Sequence, residues 1–368
     1  MKKLLYSFFL ITLSLIIFII IYSSTIGVET TKFNNLIISE IKKKDPNIQL
    51  SLNKIKIKLD LKKIKIYLST TEPQIIYQNI KIPIKEINIY TKIISIFKSE
   101  KEINQVTVYL ENFNVKEVQK LAVRIKPSNF KTYLLNNLSN GVVEKILIDV
   151  KLDKNLKIND YKVNGSIKKI NIKVLNDLLI QDVSLNFISD KNLTLINSIN
   201  AKYQEVSISN GSISLKRDKL IDIEGKFNTQ FNLDENAINR LFSRLDIKIL
   251  KKNKVSAKGS LLHNFFFKID ENFKLIDYDY KSKGNILESQ IILKNVFQNN
   301  FFEKSIKKFS IFKTNLEINI NKKKQNLLMF DGLYNLGRAD KKKFKISHNL
   351  NVKKPKYLID FDLSENIF

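Results

Sequence analysis

This chain of 368 residues contains no cysteine, only 9 glycines and 5 prolines, and two histidines. The missing cysteine excludes a disulfide scaffold, thiolate metal sites, a cysteine nucleophile and a lipidated N-terminal cysteine. It is compatible with an oxidising compartment without requiring one. Few glycines and prolines rule out a linker-rich or collagen-like chain. Arginine occurs only at Arg124, Arg217, Arg240, Arg244 and Arg338, so the formal net charge of +27 is almost entirely lysine. Arginine is the usual residue for bidentate phosphate and base recognition, and its scarcity argues against a nucleic-acid reader. The lysines are spread along strand-like segments rather than massed in one patch, which suits a solvated face. An anionic membrane surface remains a compatible partner.

What the chain has in abundance is alternation. Across Asn47 to Tyr90, apolar and polar residues follow one another in Ile55-Lys56-Ile57-Lys58-Leu59 and again in Ile64-Lys65-Ile66-Tyr67-Leu68. A β-strand sends successive side chains to opposite faces, so this period gives one apolar face and one wetted, cationic face. The pattern recurs through Val106, Val108 and Leu110, through Ile146, Ile148 and Val150, and almost to the C-terminus. Hydrophobic residues make up 43% and charged residues 27%, which excludes wholesale disorder.

The N-terminus differs. Met1-Lys2-Lys3 precedes an apolar run from Leu4 to Tyr22 broken only by Ser7, Thr12 and Ser14. As a helix this run spans about 28 Å, close to a bilayer's hydrocarbon core. A cleaved signal peptide is the competing reading, but the run is long for one and no A-x-A site follows it. Lys2 and Lys3 favour a cytoplasmic N-terminus, with everything after Ser23 across the membrane.

Helices are few. Thr31–Lys44 carries Phe33, Leu36, Ile37 and Ile41 on one face, and Thr91–Lys98 is a shorter candidate. Asn114–Lys120 has an asparagine cap, Pro127–Leu138 ends at Ser139-Asn140-Gly141, and Leu233–Leu245 starts on Asp234 with Ile238, Leu241, Phe242 and Leu245 aligned. Phe297–Phe312 reads equally as helix or strand. Gly165, Gly211, Gly225, Gly259 and Gly284 each precede a strand-like run, a loose repeat in which glycine is expected to mark a bend or bulge as a strand enters its sheet. The last residues, Asp360 to Phe368, still alternate, which suggests an N-terminal fragment or an edge that pairs with a partner.

The search for chemistry is negative. His263 and His348 lack metal-ligand spacing, and no G-x-S-x-G, H-E-x-x-H, Walker A or G-x-G-x-x-G motif occurs. His263 reads as a strand residue. Asp277 and Asp279 share one side of a strand and read as an ordinary solvated face. Asp270-Glu271-Asn272 reads as a turn. No catalytic residue, metal or cofactor is expected, and the chain reads as non-enzymatic. An apolar sheet face must be buried against helices, a second sheet or a ligand. With too few helices to cover so many strands, a closed sandwich and a lipid-occupied groove both remain open. The candidate groove-lining residues are Ile55, Ile57, Leu59, Ile64, Ile66, Leu68, Val106, Val108, Leu110, Ile146, Ile148 and Val150.

The order of elements resembles the AsmA-like envelope proteins, in particular their YhdP and TamB branch. The resemblance rests on the anchor Leu4–Tyr22, the juxtamembrane helix Thr31–Lys44, the strand pair Ile48–Leu68, TEPQIIYQNIKIPIKEINIY, EINQVTVYLENFNVKEVQKL, and the VNGSIKKINIKV and NGSISL segments. It implies a mainly β fold: an N-terminal transmembrane helix, then an elongated, twisted antiparallel sheet curled into a groove, with a few short amphipathic helices. The domains would be an n-region and anchor at 1–26, a juxtamembrane helix with a first groove module at 27–126, and repeated groove strands at 127–368. It further implies an inner-membrane, largely periplasmic protein that carries phospholipid toward the outer membrane. Family members are typically longer, and the family offers no point-like motif to transfer. A periplasmic scaffold for outer-membrane proteins, or an accessory of lipopolysaccharide transport, are the alternatives.

Overall fold

In a computed structural model, the structure describes residues 2–32, 34–62, 65–91, 103–124, 135–174, 178–244, 253–272, 274–298, 305–323, 326–336, 340–349 and 356–362. The expected helix at Thr91–Lys98 and most of that at Pro127–Leu138 lie outside these residues. Among the described residues strands dominate, and most belong to one large antiparallel sheet. By contacts the chain divides into two compact units, Met1–Lys168 with Phe187–Lys191, and Lys169–Asn186 with Asn192–Phe368.

The first unit begins with α1 (Lys2–Thr25), β1 (Val28–Thr30), α2 (Asn34–Lys44), β2 (Ile48–Ser51), β3 (Ile55–Asp60), β4 (Lys65–Thr71), β5 (Gln74–Tyr77), β6 (Ile80–Ile82) and β7 (Ile84–Thr91). It continues with β8 (Ile103–Asn114), α3 (Val115–Arg124), β9 (Leu138–Ser139), β10 (Val142–Leu152) and most of β11 (Ile158–Val174). The segment Tyr6–Thr25, with mean hydropathy 2.3, is long and apolar enough to cross a membrane once. Strand pairing runs β1, β3, β4, β7, β8, β10, β11, all antiparallel. The strands β2, β5 and β6 form a separate small sheet.

The second unit holds most of β12 (Leu178–Ser189), then β13 (Leu193–Tyr203), β14 (Val206–Arg217), β15 (Ile221–Leu233), α4 (Glu235–Arg244), β16 (Lys254–Ile269) and β17 (Leu275–Phe297). It ends with β18 (Ile306–Asn321), β19 (Leu327–Asn335), β20 (Lys342–Asn349) and β21 (Lys356–Phe361). From β13 to β21 each strand pairs with the next in sequence. The helix starts follow their expected caps. Asn114 Oδ1 accepts from Lys116 N–H at 2.9 Å, and Asp234 Oδ1 accepts from Ala237 N–H at 2.8 Å. The ambiguous stretch after Phe297 resumes as strand at Ile306.

Of the five glycines, Gly211 and Gly259 lie where the register shifts, as expected of a bulge; the other three play a different part. Gly165, Gly225 and Gly284 sit mid-strand in unbroken register rather than at strand entrances. A Cβ on Gly165 would enter the Phe187 ring, and one on Gly225 would enter the Phe265 ring. The glycines make room for side chains leaning over from neighbouring strands.

Other irregularities are made by residues that are not glycine. Asn112, Lys169, Asp182, Ser198, Asn210 and Lys313 all have positive φ, between 43° and 56°, inside strands β8, β11, β12, β13, β14 and β18. At each, the apolar alternation takes a three-residue step: Leu110 to Phe113, Ile167 to Ile170, Ile180 to Val183, Ile196 to Ile199, Ile208 to Gly211 and Ile311 to Thr314. A left-handed residue takes up the odd position, so the half-strand beyond keeps its apolar residues on the same face; at Ser198, Asn210 and Lys313 the pairing register also shifts by one, as in a β-bulge. Without the left-handed residue, a one-residue slip would send them to the opposite one.

Replacing Lys169 by valine should therefore destabilise the chain by about 1–2 kcal/mol, because a β-branched residue resists this conformation, whereas glycine should be tolerated. Deleting Lys169 should be far worse, turning Ile170 and Ile172 to the polar face. Chemical unfolding of the detergent-solubilised chain measures all three.

Candidate functional site

The register of the first unit assembles the candidate residues into one lattice. Ile57 of β3 lies opposite Leu68 of β4, Leu68 opposite Ile89 of β7, and Ile89 opposite Val106 of β8. Val106 faces Val150 of β10, which faces Tyr161 of β11. A second row runs Ile55, Thr70, Ile87, Val108, Ile148, Val163, and a third joins Leu110 to Ile146. Leu59 and Ile66 pair beside the first row. Directly opposed side chains in an antiparallel pair project to the same face. Eleven of the twelve candidates thus share one face; Ile64 lies outside the described residues.

Burial along this lattice is uneven. Ile55 and Leu110 are buried, at 0% and 7% exposure, while Ile57, Leu59, Ile66, Leu68, Val106, Val108, Ile146, Ile148 and Val150 are only half-buried. The Leu110 end is covered: Phe113 and Val143 complete a buried cluster with it, and Val118 and Leu121 of α3 pack on top. The rest keeps part of its apolar area in water, at a cost of about 25 cal/mol per Å². Sequence reasoning missed Ile87 and Ile89 as lattice members, although they alternate within INIY, and missed Val163.

The opposite face carries Lys56, Lys58 and Lys65 on β3 and β4, and Lys145, Lys151 and Lys162 on β10 and β11. Lys54 and Lys56 both reach Glu29, at 2.9 and 3.3 Å, and hold its carboxyl below the usual range. Farther along, the face becomes a polar ladder. Ser69, Asn88, Thr107 and Asp149 oppose one another in turn, beside Tyr67, Tyr90 and Gln105. Ser69 Oγ donates to Glu86 Oε1 at 3.0 Å, and Gln105 Nε2 to Asp149 Oδ1 at 2.6 Å. The Tyr67 and Tyr90 rings stack with centroids 5.0 Å apart. Burial first, then the negative charges of Asp60 and Asp149, push the Tyr90 hydroxyl up to about 12. The lysine-bearing face expected from the sequence is thus interrupted on β7 and β8 by buried polar groups and resumes at Lys151 and Lys162.

The second unit repeats the two-faced design. One row runs Phe227, His263, Ser282, Ile318, Leu328, His348, Tyr357 from β15 to β21, and another Ile196, Ile213, Gly225, Phe265, Tyr280, Ile320. His263 is the strand residue the sequence suggests, buried and stacked on Phe227 at 4.5 Å. Its Nε2 lies 2.8 Å from Thr229 Oγ1 and its Nδ1 2.8 Å from Tyr280 Oη, so both ring nitrogens are satisfied inside an apolar surround. Asp277 and Asp279 project to the other face, where Asp279 pairs with Lys281 at 3.3 Å. Asp270 Oδ1 accepts from Asn272 and Lys274 N–H in the expected turn. Among the described residues, no three His, Asp or Glu side chains converge in a way that could hold a metal ion.

No protein-family model matches this chain, and no curated protein or solved structure matches it either.

Burial lowers the His263 pKa below its ordinary value, which has a readable consequence. A histidine held neutral in the folded state adds stability that is present above about pH 6.5 and is lost as pH falls through the folded value. The wild-type chain should lose stability as acid is added below that point, and His263→Gln should lose less over the same interval. Denaturant midpoints measured from pH 7.5 to 5 give the comparison.

Proposed function

We propose that this chain is a membrane-anchored, non-enzymatic lipid-transfer protein. On this reading the sheet curls around its apolar face, and phospholipid acyl chains occupy that face. One observation carries the reading: an apolar lattice crosses strands from β3 to β11 in direct register yet stays half-exposed over most of its length. Binding acyl chains there requires no catalytic group. Each buried methylene contributes about 0.8 kcal/mol, so a chain of about fourteen methylenes supplies on the order of 10 kcal/mol before ordering costs. The bulges at Ser198, Asn210 and Lys313 support the reading because each increases local twist and bends its strand. The resemblance to AsmA-like envelope proteins supplies the setting: anchorage in the inner membrane through Leu4–Tyr22, a cytoplasmic N-terminus, and a periplasmic sheet that passes phospholipid toward the outer membrane.

A second reading has an observation of its own. Tyr357, Leu358 and Ile359 of β21 are all strongly exposed, an apolar surface of the kind an envelope protein partner covers.

Photo-crosslinking amino acids at Ile57, Val106 and Ile148, compared with Lys56, Thr107 and Asp149 on the opposite face, test the first reading in cells. Lipid adducts at the first three positions and not at the second three are expected. Adducts confined to the polar face, or a stoichiometric protein partner at β21 with no lipid at Ile57, would replace it with the second.

A further inference from the structure

The route of the chain out of the membrane-spanning helix fixes where the sheet begins. Helix α1 ends at Thr25, and Ile26 and Gly27 both donate their N–H to the Tyr22 carbonyl at 3.0 Å. Strand β1 starts at Val28 and pairs at once with β3, Val28 against Ile57 and Thr30 against Ile55. No flexible linker separates helix from sheet. Gly27 holds this junction: its φ is +79°, and a Cβ would collide with the Lys58 side chain and the Ile57 carbonyl.

Because β1 and β3 are antiparallel, β3 runs back toward the helix as β1 leaves it. Residues 58 to 61 therefore approach α1, which itself contacts β3. The hairpin between β3 and β4 lies at the membrane end of the sheet. Three residues from Thr25 to Val28 span at most about 11 Å. Each interfacial layer of a bilayer is about 5–7 Å thick. The hairpin runs back toward α1 from the level of Val28, so it lies on the membrane side of the start of β1, within reach of the lipid head groups.

Its chemistry fits that level. Leu61 is 53% exposed at the turn, and Ile26 and Val28, at the junction of helix and β1, are 56% and 52% exposed. In the turn, Lys62 N–H donates to Asp60 Oδ1 at 3.0 Å. Lys58, Lys62 and Lys65 flank Leu61 along the chain, whereas Glu29 is engaged by Lys54 and Lys56. An apolar tip flanked by lysines is suited to an anionic lipid surface: the tip is buried among acyl carbons, and each lysine near the phosphates adds about 1 kcal/mol.

We propose that the β3–β4 hairpin is a second membrane contact, with Leu61 inserted into the bilayer interface and Lys58, Lys62 and Lys65 bound to anionic phospholipid head groups. The contact follows from α1 spanning the membrane. Its further role rests on the lipid-transfer reading: Leu59 and Ile66, the lattice pair nearest the turn, meet the bilayer surface, so the hairpin is the portal through which acyl chains reach the sheet.

The absence of cysteine makes the test clean. The full-length chain carrying Leu61→Cys is spin-labelled and placed in nanodiscs, and its accessibility to oxygen and to a water-soluble nickel chelate is compared. Thr71→Cys, at the far end of β4 and about 20 Å away, is the control. Both positions are exposed, so neither change threatens folding. In discs containing phosphatidylglycerol, the Leu61 label should favour oxygen several-fold over the chelate and the Thr71 label should not. Lys58→Glu with Lys62→Glu should abolish that difference. A Leu61 label as open to the chelate as the Thr71 label would overturn the contact. A buried label indifferent to phosphatidylglycerol and to the charge reversals would overturn the anionic recognition. Insertion of Leu61 without lipid captured at Ile57 would refute the transfer reading and leave the contact standing.

Discussion

Everything in this structure depends on cross-strand register. A sheet can keep one face apolar over many strands only if each strand enters in the right phase, because a slip of one residue exchanges its faces. Here the phase is kept both by strict alternation and by left-handed residues placed where the alternation breaks. Leu110 and Phe113 stay in one cluster because Asn112 takes a left-handed conformation between them. The odd step in the sequence and the left-handed residue in the backbone are two expressions of one constraint. Glycine serves the same end differently, leaving space on the apolar face for Phe187 and Phe265 to lean across.

The two faces answer to different physics. The apolar face of the first unit is sealed by α3 at its Leu110 end and stays half-open toward Ile57 and Val150. The opposite face buries small polar groups, Ser69, Asn88 and Thr107, within a ladder that also carries Tyr67 and Tyr90. Its lysines lie on both flanks, at Lys56, Lys58 and Lys65 on β3 and β4 and at Lys151 and Lys162 on β10 and β11, with buried polar groups between them.

Much of this was legible in the sequence. The long apolar N-terminal helix follows from its run of residues, and the strand content, the capped helices at Val115 and Glu235, and the shared face of Ile57, Leu68, Val106, Ile148 and their neighbours follow from period and capping. Three things were not. Gly165, Gly225 and Gly284 were expected to bend strands, because a lone glycine in a strand usually signals a bulge; only the pairing of Gly225 with Phe265 reveals the ring above it. The left-handed residues Lys169, Ser198 and Lys313 have no special liking for positive φ, so only the three-residue step along the strand betrays them. The polar ladder was hidden because it is built by opposing residues from four strands, and no single strand shows it.

The account's central claim is that the half-open apolar face exists to be filled by lipid. Native mass spectrometry of the intact chain, released gently from detergent, tests it most directly. The account predicts phospholipid masses retained on the protein and lost when Ile57, Val106 and Ile148 are replaced by aspartate in a chain that still folds. A wild-type chain that emerges free of lipid under conditions that preserve its fold would contradict it.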